Sequence, residues 1–502
     1  MKIKIFCQFL FILVVAGFSN VQAQKKSNTT SKKLPNIIYI YADDLGVGEL
    51  GSYGQTKIKT PHLDQMAREG MRFTNHYASA PVCAPARGML MTGKHAGHAY
   101  IRGNHELGGF ADSLERGQLP LPEGTFTLPK MLKEAGYVTG AVGKWGLGMA
   151  NNSGDPNKQG FDYFYGLLDQ KQAHNYYPTH LWENGKWDSL DNPVITVHKP
   201  LNPKTATDKD FDYFKGNVYA PQKMMEKALA FLDKNKNKPF FLYFPSPLPH
   251  VSLQAPDEYV KKYIGAFDES YYYGNAGYAS TKYPLSTHAA MVTYLDDQVG
   301  MIMKKIKELG LDDNTIIMFS SDNGGAWDGG IPKDTFKLNG PFRGQKRDLY
   351  EGGIREPLIA RWPGKIKAGT TSDLISAQYD LMATLAQLTH QSVKNTDGIS
   401  FLPTLLGRPA EQKKHEYLYF EFGETGGSVA IRMGEWKGVR VNLKKNPKAP
   451  WQIYNLKNDE GETTDLAKDH PELIKTFNAI VKKEHQNSHL KEWEFVNPKF
   501  DK

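Results

Sequence analysis

Short apolar runs that alternate with helical patterns constrain the fold of this chain more than any other feature of its sequence. The runs are rich in β-branched and aromatic residues, which predicts central strands buried on both faces. They occupy residues 36–42, 138–142, 240–244, 315–320 and 358–361. The helical patterns occupy residues 61–69, 128–135, 221–233, 287–309 and 377–388. The alternation predicts an α/β fold with a large, mostly parallel or mixed central sheet, whose sites form at the carboxyl ends of its strands.

This pattern changes after about residue 410. The following segment contains three short stretches typical of antiparallel strands and one closing helical pattern, at residues 416–420, 429–433, 437–441 and 473–485. We therefore predict a large domain over residues 35–410 and a smaller C-terminal α+β domain, with an antiparallel sheet, over residues 411–502.

The N-terminus has the features of a secretory signal peptide. Two lysines precede an apolar stretch over residues 5–18, and Val21-Gln22-Ala23 is a small-residue cleavage site. We predict a cleaved signal over residues 1–23 and a flexible polar leader over residues 24–34, which indicates a periplasmic or secreted protein. No later stretch reaches transmembrane length, so we expect no stable insertion into a membrane.

Charge and cysteine count narrow the classes of function. The chain has 62 basic and 54 acidic residues and a net charge of +8, an excess too mild to predict a nucleic-acid partner. Aromatic residues make up 12%, which suits stacking on sugar rings but is equally explained by a large core. Because Cys7 lies in the predicted signal, the exported chain keeps only Cys83. An unpaired cysteine in an exported protein requires an explanation.

Two glycine-rich segments match nucleotide-binding patterns, and we reject both. Residues 46–51 satisfy G-x-G-x-x-G, but no helical pattern begins there and two acidic residues precede the glycines. Residues 88–94 spell most of a P-loop, but His95 stands where a Ser or Thr would hold Mg²⁺. Neither segment predicts a nucleotide site.

Paired polar residues follow two of the predicted strands. Asp43 and Asp44 end the first strand, and Asp322 and Asn323 end the strand at residues 315–320. Three carboxylates and an amide oxygen form a donor set suited to Ca²⁺ or Mg²⁺. For either pair taken alone, turn and cap chemistry is the better explanation.

The segment around the single exported cysteine favours the metal hypothesis. It reads Cys83-Ala84-Pro85-Ala86-Arg87, followed by Thr92-Gly93. This resembles the signature of the type I sulfatases, Cys-x-Pro-x-Arg with Thr-Gly at fixed spacing. In that family a formylglycine-generating enzyme oxidises the cysteine to formylglycine, whose hydrate is the nucleophile. The alternative is a buried structural cysteine.

The resemblance extends over nearly the whole mature chain. The opening strand with its acidic pair, Gly143-Lys144-Trp145, Pro249-His250, Ser321-Asp322-Asn323-Gly324 and Gly344-Gln345-Lys346 all resemble elements of the family. It implies an alkaline-phosphatase-like α/β sandwich in which residues 35–410 form the catalytic domain. It also implies a sulfuric ester hydrolase that takes sulfated sugars.

Roles for individual residues follow from the resemblance. It implies one divalent cation, Ca²⁺ with Mg²⁺ as the alternative, held by Asp43, Asp44, Cys83, Asp322 and Asn323. The other residues it assigns to the reaction are Arg87 beside the nucleophile, Lys144 and Lys346 on the sulfate oxygens, and His250 as the acid for the departing oxygen. An anionic ester needs such positive charge in the transition state.

The chain departs from the family at one position. The family usually has Gly-Lys-Trp-His, and here Gly146 stands in place of the histidine. That histidine is thought to take a proton during sulfate release, so the role has no assigned residue. His95 and His98 follow the signature helix and are candidates to replace it, to contact the sugar or to be surface residues.

Polar and aromatic segments suggest the substrate. The segment at residues 172–185 and the Gly-Lys-Trp-Gly sequence resemble a bacterial branch that acts on sulfated galactose or N-acetylgalactosamine. The residues we expect to contact the sugar are Arg102, Asn104, His174, His180 and Arg347. We expect exo-acting removal of a 4-sulfate.

Three alternatives remain open from the sequence. The first is removal of a 6-sulfate from the same sugars. The second is a formylglycine-dependent phosphodiesterase or phosphonate hydrolase. The third is a non-catalytic binder of sulfated glycans, if Cys83 is not converted.

Overall fold

The apolar runs of the sequence form the centre of a large mixed sheet. In the computed structural model, which describes residues 34–496, the strands of this sheet are β1 (Asn36–Ala42), β2 (Met71–Tyr77), β3 (Val138–Lys144), β4 (Tyr163–Leu167), β5 (His180–Glu183), β6 (Lys186–Ser189), β7 (Phe240–Pro245), β8 (Thr315–Ser321), β9 (Arg355–Arg361), β10 (Thr370–Ser372) and β11 (Ser376–Ala377). The predicted signal peptide and nearly all of the leader lie outside the described residues.

The order of the strands confirms the predicted sheet. It runs β10-β2-β9-β8-β1-β7-β3-β4-β5-β6, with β11 paired to β2. Strands β8, β1, β7, β3 and β4 are parallel to their neighbours in this series, whereas β9 runs antiparallel to β8 and β2. All residues of β1 are buried, as its uninterrupted apolar pattern predicts for a central strand.

Helices cover both faces of this sheet. They are α1 (Pro61–Glu69), α2 (Cys83–Thr92), α3 (Leu128–Glu134), α4 (Ala220–Asn235), α5 (Asp257–Val260), α6 (Pro284–Glu308), α7 (Glu351–Ile354), α8 (Asp380–Leu388), α9 (Leu402–Leu405) and α10 (Pro471–Glu484). Helices α1, α4 and α6 pack on the face that presents Ile38 and Ile40 of β1. Helix α2 lies on the opposite face, where its Arg87 sits over the ring of Tyr41. No helix among the described residues is long and apolar enough to cross a membrane.

A second, smaller sheet lies in the C-terminal region. Its strands are antiparallel throughout and are β12 (Leu418–Phe422), β13 (Ser428–Met433), β14 (Trp436–Arg440) and β15 (Gln452–Asn455). One face packs on α10 through Ile431 and Phe477. The other face packs Phe420 against Tyr77 and Val82 of the large sheet region. From Pro35 onward the described residues form one compact unit, and the predicted boundary at residues 410/411 stays a prediction.

Candidate active site

Two parallel strands bring the paired polar residues together at one edge of the large sheet. β1 and β8 are neighbours, with Ala42 opposite Ser321, so the residues that follow each strand lie side by side. The backbone N–H of Asp44 donates to Oδ1 of Asp322 at 3.0 Å. Asp44 has a φ of 61°, a left-handed conformation that costs a non-glycine residue energy and is typical of functional sites.

Asn323 completes a set of oxygen atoms suited to a hard cation. Its Nδ2 donates to Oδ1 of Asp44 at 2.7 Å and to the Gly324 carbonyl oxygen at 3.0 Å, while its Oδ1 is buried without a hydrogen-bond donor. A buried acceptor without a partner costs free energy, and a cation would satisfy it. Ligand atoms of Asp43, Asp44, Cys83 and His250 lie within 4.8 Å of one another. The carboxylate and amide oxygens among these donors fit Ca²⁺ or Mg²⁺.

Cys83 is the first residue of α2 and points at this set. Its Sγ lies 3.2 Å from Oδ1 of Asp43 and 3.9 Å from Oδ1 of Asp44, and the side chain is 1% exposed. Burial, together with Asp322 and Asp43, raises the pKa of the thiol. An unmodified Cys83 is therefore held as the neutral thiol, which is a poor nucleophile.

Arg87 lies one turn further along α2 and links the helix to Asp322, after β8, and to Lys144 at the end of β3. Its Nε and Nη2 donate to Oδ2 of Asp322 at 3.1 and 2.8 Å, and its Nη1 donates to the Lys144 carbonyl oxygen at 2.6 Å. The guanidinium is completely buried. These bonds fix Cys83 relative to Asp322, because residues four apart share one face of a helix.

Two lysines and a histidine close the site. Lys144 ends β3 and places its Nζ 2.6 Å from Oδ2 of Asp43, and Lys346 places its Nζ 2.7 Å from Oδ2 of Asp44. Nε2 of His250 lies 3.1 Å from Nζ of Lys346 and 3.5 Å from Asp44. Because an ammonium group only donates, His250 accepts at Nε2 and donates from Nδ1 to the Val251 carbonyl oxygen.

The buried charges are balanced. Arg87, Lys144 and Lys346 face Asp43, Asp44 and Asp322. Burial opposes ionisation of the first two aspartates, but the lysines outweigh it and lower the pKa of both carboxyl groups. Burial and the neighbouring Asp43 raise the pKa of Asp322, and the guanidinium of Arg87 opposes this shift. A divalent cation in this cluster would leave a positive excess, which attracts an anionic substrate.

Three of the predicted sugar-contacting residues border the site. Oδ1 of Asn104 accepts the backbone N–H of Ala84 at 3.0 Å, directly beside Cys83. The ring of His174 stacks on that of His250, with centroids 5.0 Å apart. Arg347 follows Lys346 and pairs with Asp328 at 3.6 Å, while two fifths of its side chain remains exposed.

The other two predicted sugar contacts have different partners. The guanidinium of Arg102 is buried and donates to the backbone carbonyl oxygens of Ala99, Gly97 and Gln486. His180 places Nε2 3.1 Å from Glu115 and stacks on Trp187. Their hydrogen-bonding groups are thus engaged inside the protein, and the geometry gives neither residue a sugar contact.

The space beside Gly146 contains a glutamine. Gly146 has a φ of 79°, and a Cβ atom there would meet Cγ of Gln170 at 3.1 Å. Oε1 of Gln170 is buried without a donor, and its Nε2 lies 3.4 Å from Oδ1 of Asn104. His95 and His98, the candidates to replace the family histidine, instead bind Glu484 and Asp397, which lie on other segments.

Several residues of the site had no signal in the sequence. His198 lies 3.1 Å from His174, and Tyr278 and Phe110 contact both histidine rings. All three come from irregular segments without a motif. Only the fold brings them to His174.

Sequence comparisons agree with this geometry. The profile described as Sulfatase matches residues 35–391, and the profile described as N-sulphoglucosamine sulphohydrolase, C-terminal, matches residues 342–489. The N-acetylgalactosamine-6-O-sulfatase of Bacteroides thetaiotaomicron is 32% identical over 92% of this chain and 95% of its own length. The N-acetylgalactosamine-6-sulfatase of Homo sapiens is 31% identical over 88% of this chain and 79% of its own length.

A solved structure agrees as well. The crystal structure of Ps i-CgsB superposes with a TM-score of 0.73 at 30% identity, covering 90% of this chain and 94% of that chain. The fold is thus the alkaline-phosphatase-like fold of the sulfatases. With its signature cysteine at a charge-balanced oxygen cluster, the chain belongs to the type I sulfatase family and is a sulfuric ester hydrolase.

Proposed function

We propose that this sulfatase removes the 6-sulfate from N-acetylgalactosamine or galactose residues of a sulfated glycan, from the non-reducing end. Two relatives that match most of the chain are named for the 6-sulfate of N-acetylgalactosamine, which favours this position over the 4-sulfate that we expected. Ps i-CgsB has also been solved in complex with k-i-k-neocarrahexaose, a carbohydrate.

The observation that carries the proposal is the position of Cys83. Its Sγ lies 3.2 Å from Asp43, whose other oxygen binds Lys144 at 2.6 Å. Oxidation of Cys83 to formylglycine by a maturing enzyme would supply a hydrate as nucleophile. Since the unmodified thiol is buried and held neutral, this conversion also explains how so unreactive a cysteine serves a hydrolase.

The neighbouring side chains provide the remaining functions. Lys144 and Lys346 would bind the sulfate oxygens, where preorganised positive charge stabilises the transition state. His250 would hold a proton at Nε2 for the departing sugar oxygen. Burial and Lys346 lower its pKa to about 4, so it is neutral until a bound anion favours the protonated ring.

A divalent cation, Ca²⁺ rather than Mg²⁺, would be held by Asp43, Asp44, Asp322, Asn323 and residue 83. It would act as a Lewis acid on the sulfate group. Arg87 would hold Asp322 and the start of α2 in the positions that metal binding requires, through the two hydrogen bonds that it donates to Asp322.

The test is a substrate panel with the purified, matured protein. It compares the 6-, 4- and 3-sulfates of N-acetylgalactosamine and galactose with glucosamine-type 6-sulfates, alongside an aryl sulfate and an aryl phosphate diester. We expect the highest kcat/KM for a galactose-type 6-sulfate and none for Cys83→Ala. Preference for the 4-sulfate or for glucosamine would overturn the substrate assignment, and preference for the phosphate diester would overturn the reaction.

Mass spectrometry tests the conversion and the export separately. The peptide that contains residue 83 should have the mass of formylglycine, and the mature protein should begin at Gln24. An unmodified cysteine in fully active protein would contradict the nucleophile, whereas an uncleaved N-terminus would contradict only the localisation.

A further inference from the structure

A cluster of aromatic rings forms one wall beside the proposed general acid. His174 stacks on His250, and the ring of His198 lies tilted against that of His174, with centroids 5.3 Å apart. The ring of Phe110 lies 3.9 Å from that of His198, and the ring of Tyr278 lies 5.2 Å from that of His174. These contacts restrict the orientation of the rings of His174 and His198.

Hydrogen bonds fix the tautomers of His198 and His174. The backbone N–H of Tyr278 donates to Nδ1 of His198 at 3.3 Å, so Nδ1 carries no proton and Nε2 of the neutral ring does. Nε2 of His198 lies 3.1 Å from Nδ1 of His174 and donates to it. His174 therefore accepts at Nδ1 and carries its own proton at Nε2.

The Nε2–H group of His174 is available to a ligand. It makes no hydrogen bond to any described residue, and the side chain is partly exposed. The hydrogen bonds from the Tyr278 N–H to His198 and from His198 to His174 form a relay. Tyr278, its first donor, has a φ of 67°, an uncommon conformation for a residue with a side chain. The backbone is thus held in a strained form that directs its N–H at His198.

The surroundings keep His174 neutral. Burial lowers its pKa well below the ordinary value, and the positive charges of Lys144 and Lys346 act in the same direction. A neutral N–H donor suits an uncharged oxygen acceptor. It lacks the positive charge that would favour an anionic acceptor such as a carboxylate. A sugar hydroxyl or ring oxygen is such an acceptor.

We propose that His174 donates from Nε2 to a sugar oxygen next to the sulfated carbon, and that His198 is a positioning residue that sets the tautomer required for this. The proposal rests on the carbohydrate substrate proposed above. His174 is then a specificity-determining residue, since it adds a contact that only a sugar ester can use.

Two substitutions at His198 test the relay. His198→Leu removes the donor to Nδ1 of His174, whereas His198→Gln keeps an amide N–H for His174 and a carbonyl oxygen for Tyr278. The readout is the ratio of kcat/KM for the preferred sugar sulfate to kcat/KM for a small aryl sulfate. We expect His198→Leu to lower this ratio about tenfold, the loss of one hydrogen bond, and His198→Gln to retain it within about threefold. His470→Leu, a histidine of the C-terminal region, serves as the matched control.

A double-mutant cycle and a spectrum separate this role from simple packing. His174→Phe keeps the stacked ring but removes the donor, and in that background His198→Leu should lower the ratio no further. Two-bond ¹H–¹⁵N NMR spectra, assigned with His174→Phe, should show His174 protonated at Nε2 in the parent and a mixture of tautomers in His198→Leu.

The outcomes distinguish this proposal from the proposed substrate. A protein that hydrolyses sugar sulfates but shows additive effects in the cycle, or shows His174 protonated at Nδ1, overturns the relay alone. A protein that turns over the aryl sulfate but none of the sugar sulfates overturns the substrate assignment, while the NMR spectra still decide the tautomer.

Discussion

At the scale of single residues, the site consists of buried charges that depend on one another. Asp322 accepts two bonds from Arg87, and both side chains are completely removed from solvent. Breaking a buried pair leaves an uncompensated charge, which costs more than the intact pair contributes. Each charged group of this cluster therefore affects stability as well as chemistry.

Substitution of Arg87 separates these two effects. Arg87→Met removes the guanidinium that pairs with Asp322, and we expect the free energy of unfolding to fall by about 3–5 kcal/mol. Arg87→Lys keeps the charge but loses the paired geometry, so we expect a smaller loss of stability with turnover reduced about 100-fold. Urea unfolding and steady-state kinetics measure the two quantities. Wild-type turnover in Arg87→Lys would show that the fork geometry is not required.

Asn323 tests the cation directly. Its buried Oδ1 has no donor among residues 34–496, so Asn323→Leu removes a proposed ligand while it retains most of the volume. We expect the affinity for Ca²⁺ to fall about 10- to 100-fold, in line with losses seen at metal sites, and chelation to abolish activity in the parent. Metal analysis and calcium titration of activity give the measurement, with the surface variant Asn446→Leu as control. Unchanged calcium affinity would remove Asn323 from the ligand set.

At the scale of elements, α8 connects the large sheet to the segment that follows residue 410. Asp380 begins α8 and accepts the backbone N–H groups of Ala377 and Ile399. Nε2 of His415 lies 2.8 Å from Oδ1 of the same aspartate. This ion pair attaches the start of the C-terminal region to the catalytic region.

The His415 pair predicts a pH-dependent contribution to stability. Burial opposes the charge on His415, but Asp380 outweighs it and raises the pKa of the ring above 6.5. A raised folded-state pKa means that the contribution is complete below about pH 6.5 and is lost as pH rises through the folded-state value. Subtracting unfolding free energies of His415→Gln from the parent, between pH 5 and 9, should give a difference that shrinks with rising pH. A difference independent of pH would contradict a charged pair, and exposed His390→Gln is the control.

At the scale of the whole molecule, the small sheet is joined to the large one through a buried charge cluster. Nζ of Lys437 in β14 lies 2.8 Å from Glu351 of α7 and 3.2 Å from Glu462, and the lysine and both glutamates are completely buried. The small sheet also covers Tyr77 and Val82. A chain without these strands would expose apolar surface and remove Lys437 from Glu351, which would keep Arg355 at 3.2 Å.

Truncation after residue 410 tests this dependence. We expect residues 24–410 to be unfolded or aggregated, because buried apolar contacts and the Lys437 pair are both lost. We expect the full chain to unfold in one cooperative thermal transition. Circular dichroism and limited proteolysis provide the measurement. A folded and active fragment of residues 24–410 would show that the C-terminal region is an independent domain.

Local patterns in the sequence determined the central strands and the reactive centre. The apolar run of β1 is long enough to specify a buried strand by itself, and Asp43 and Asp44 follow it directly. Because parallel strands end at the same edge, the fold class placed Asp43, Asp44 and Asp322 at one edge, and the strand order made β1 and β8 neighbours. The family and the α/β fold were therefore predictable from short segments, and the comparisons confirm both.

Contacts between distant segments were decided only by the tertiary structure. Arg102 and Asn104 are two residues apart, yet one binds the carbonyl oxygen of Gln486 and the other the N–H of Ala84 beside the nucleophile. β9 runs antiparallel to β8, although its apolar pattern is that of a parallel central strand. His198 reaches His174 from a loop without a motif. The physical reason is that contacts between separate segments, whether 20 or 384 residues apart, depend on the path of the whole chain, which no local period encodes.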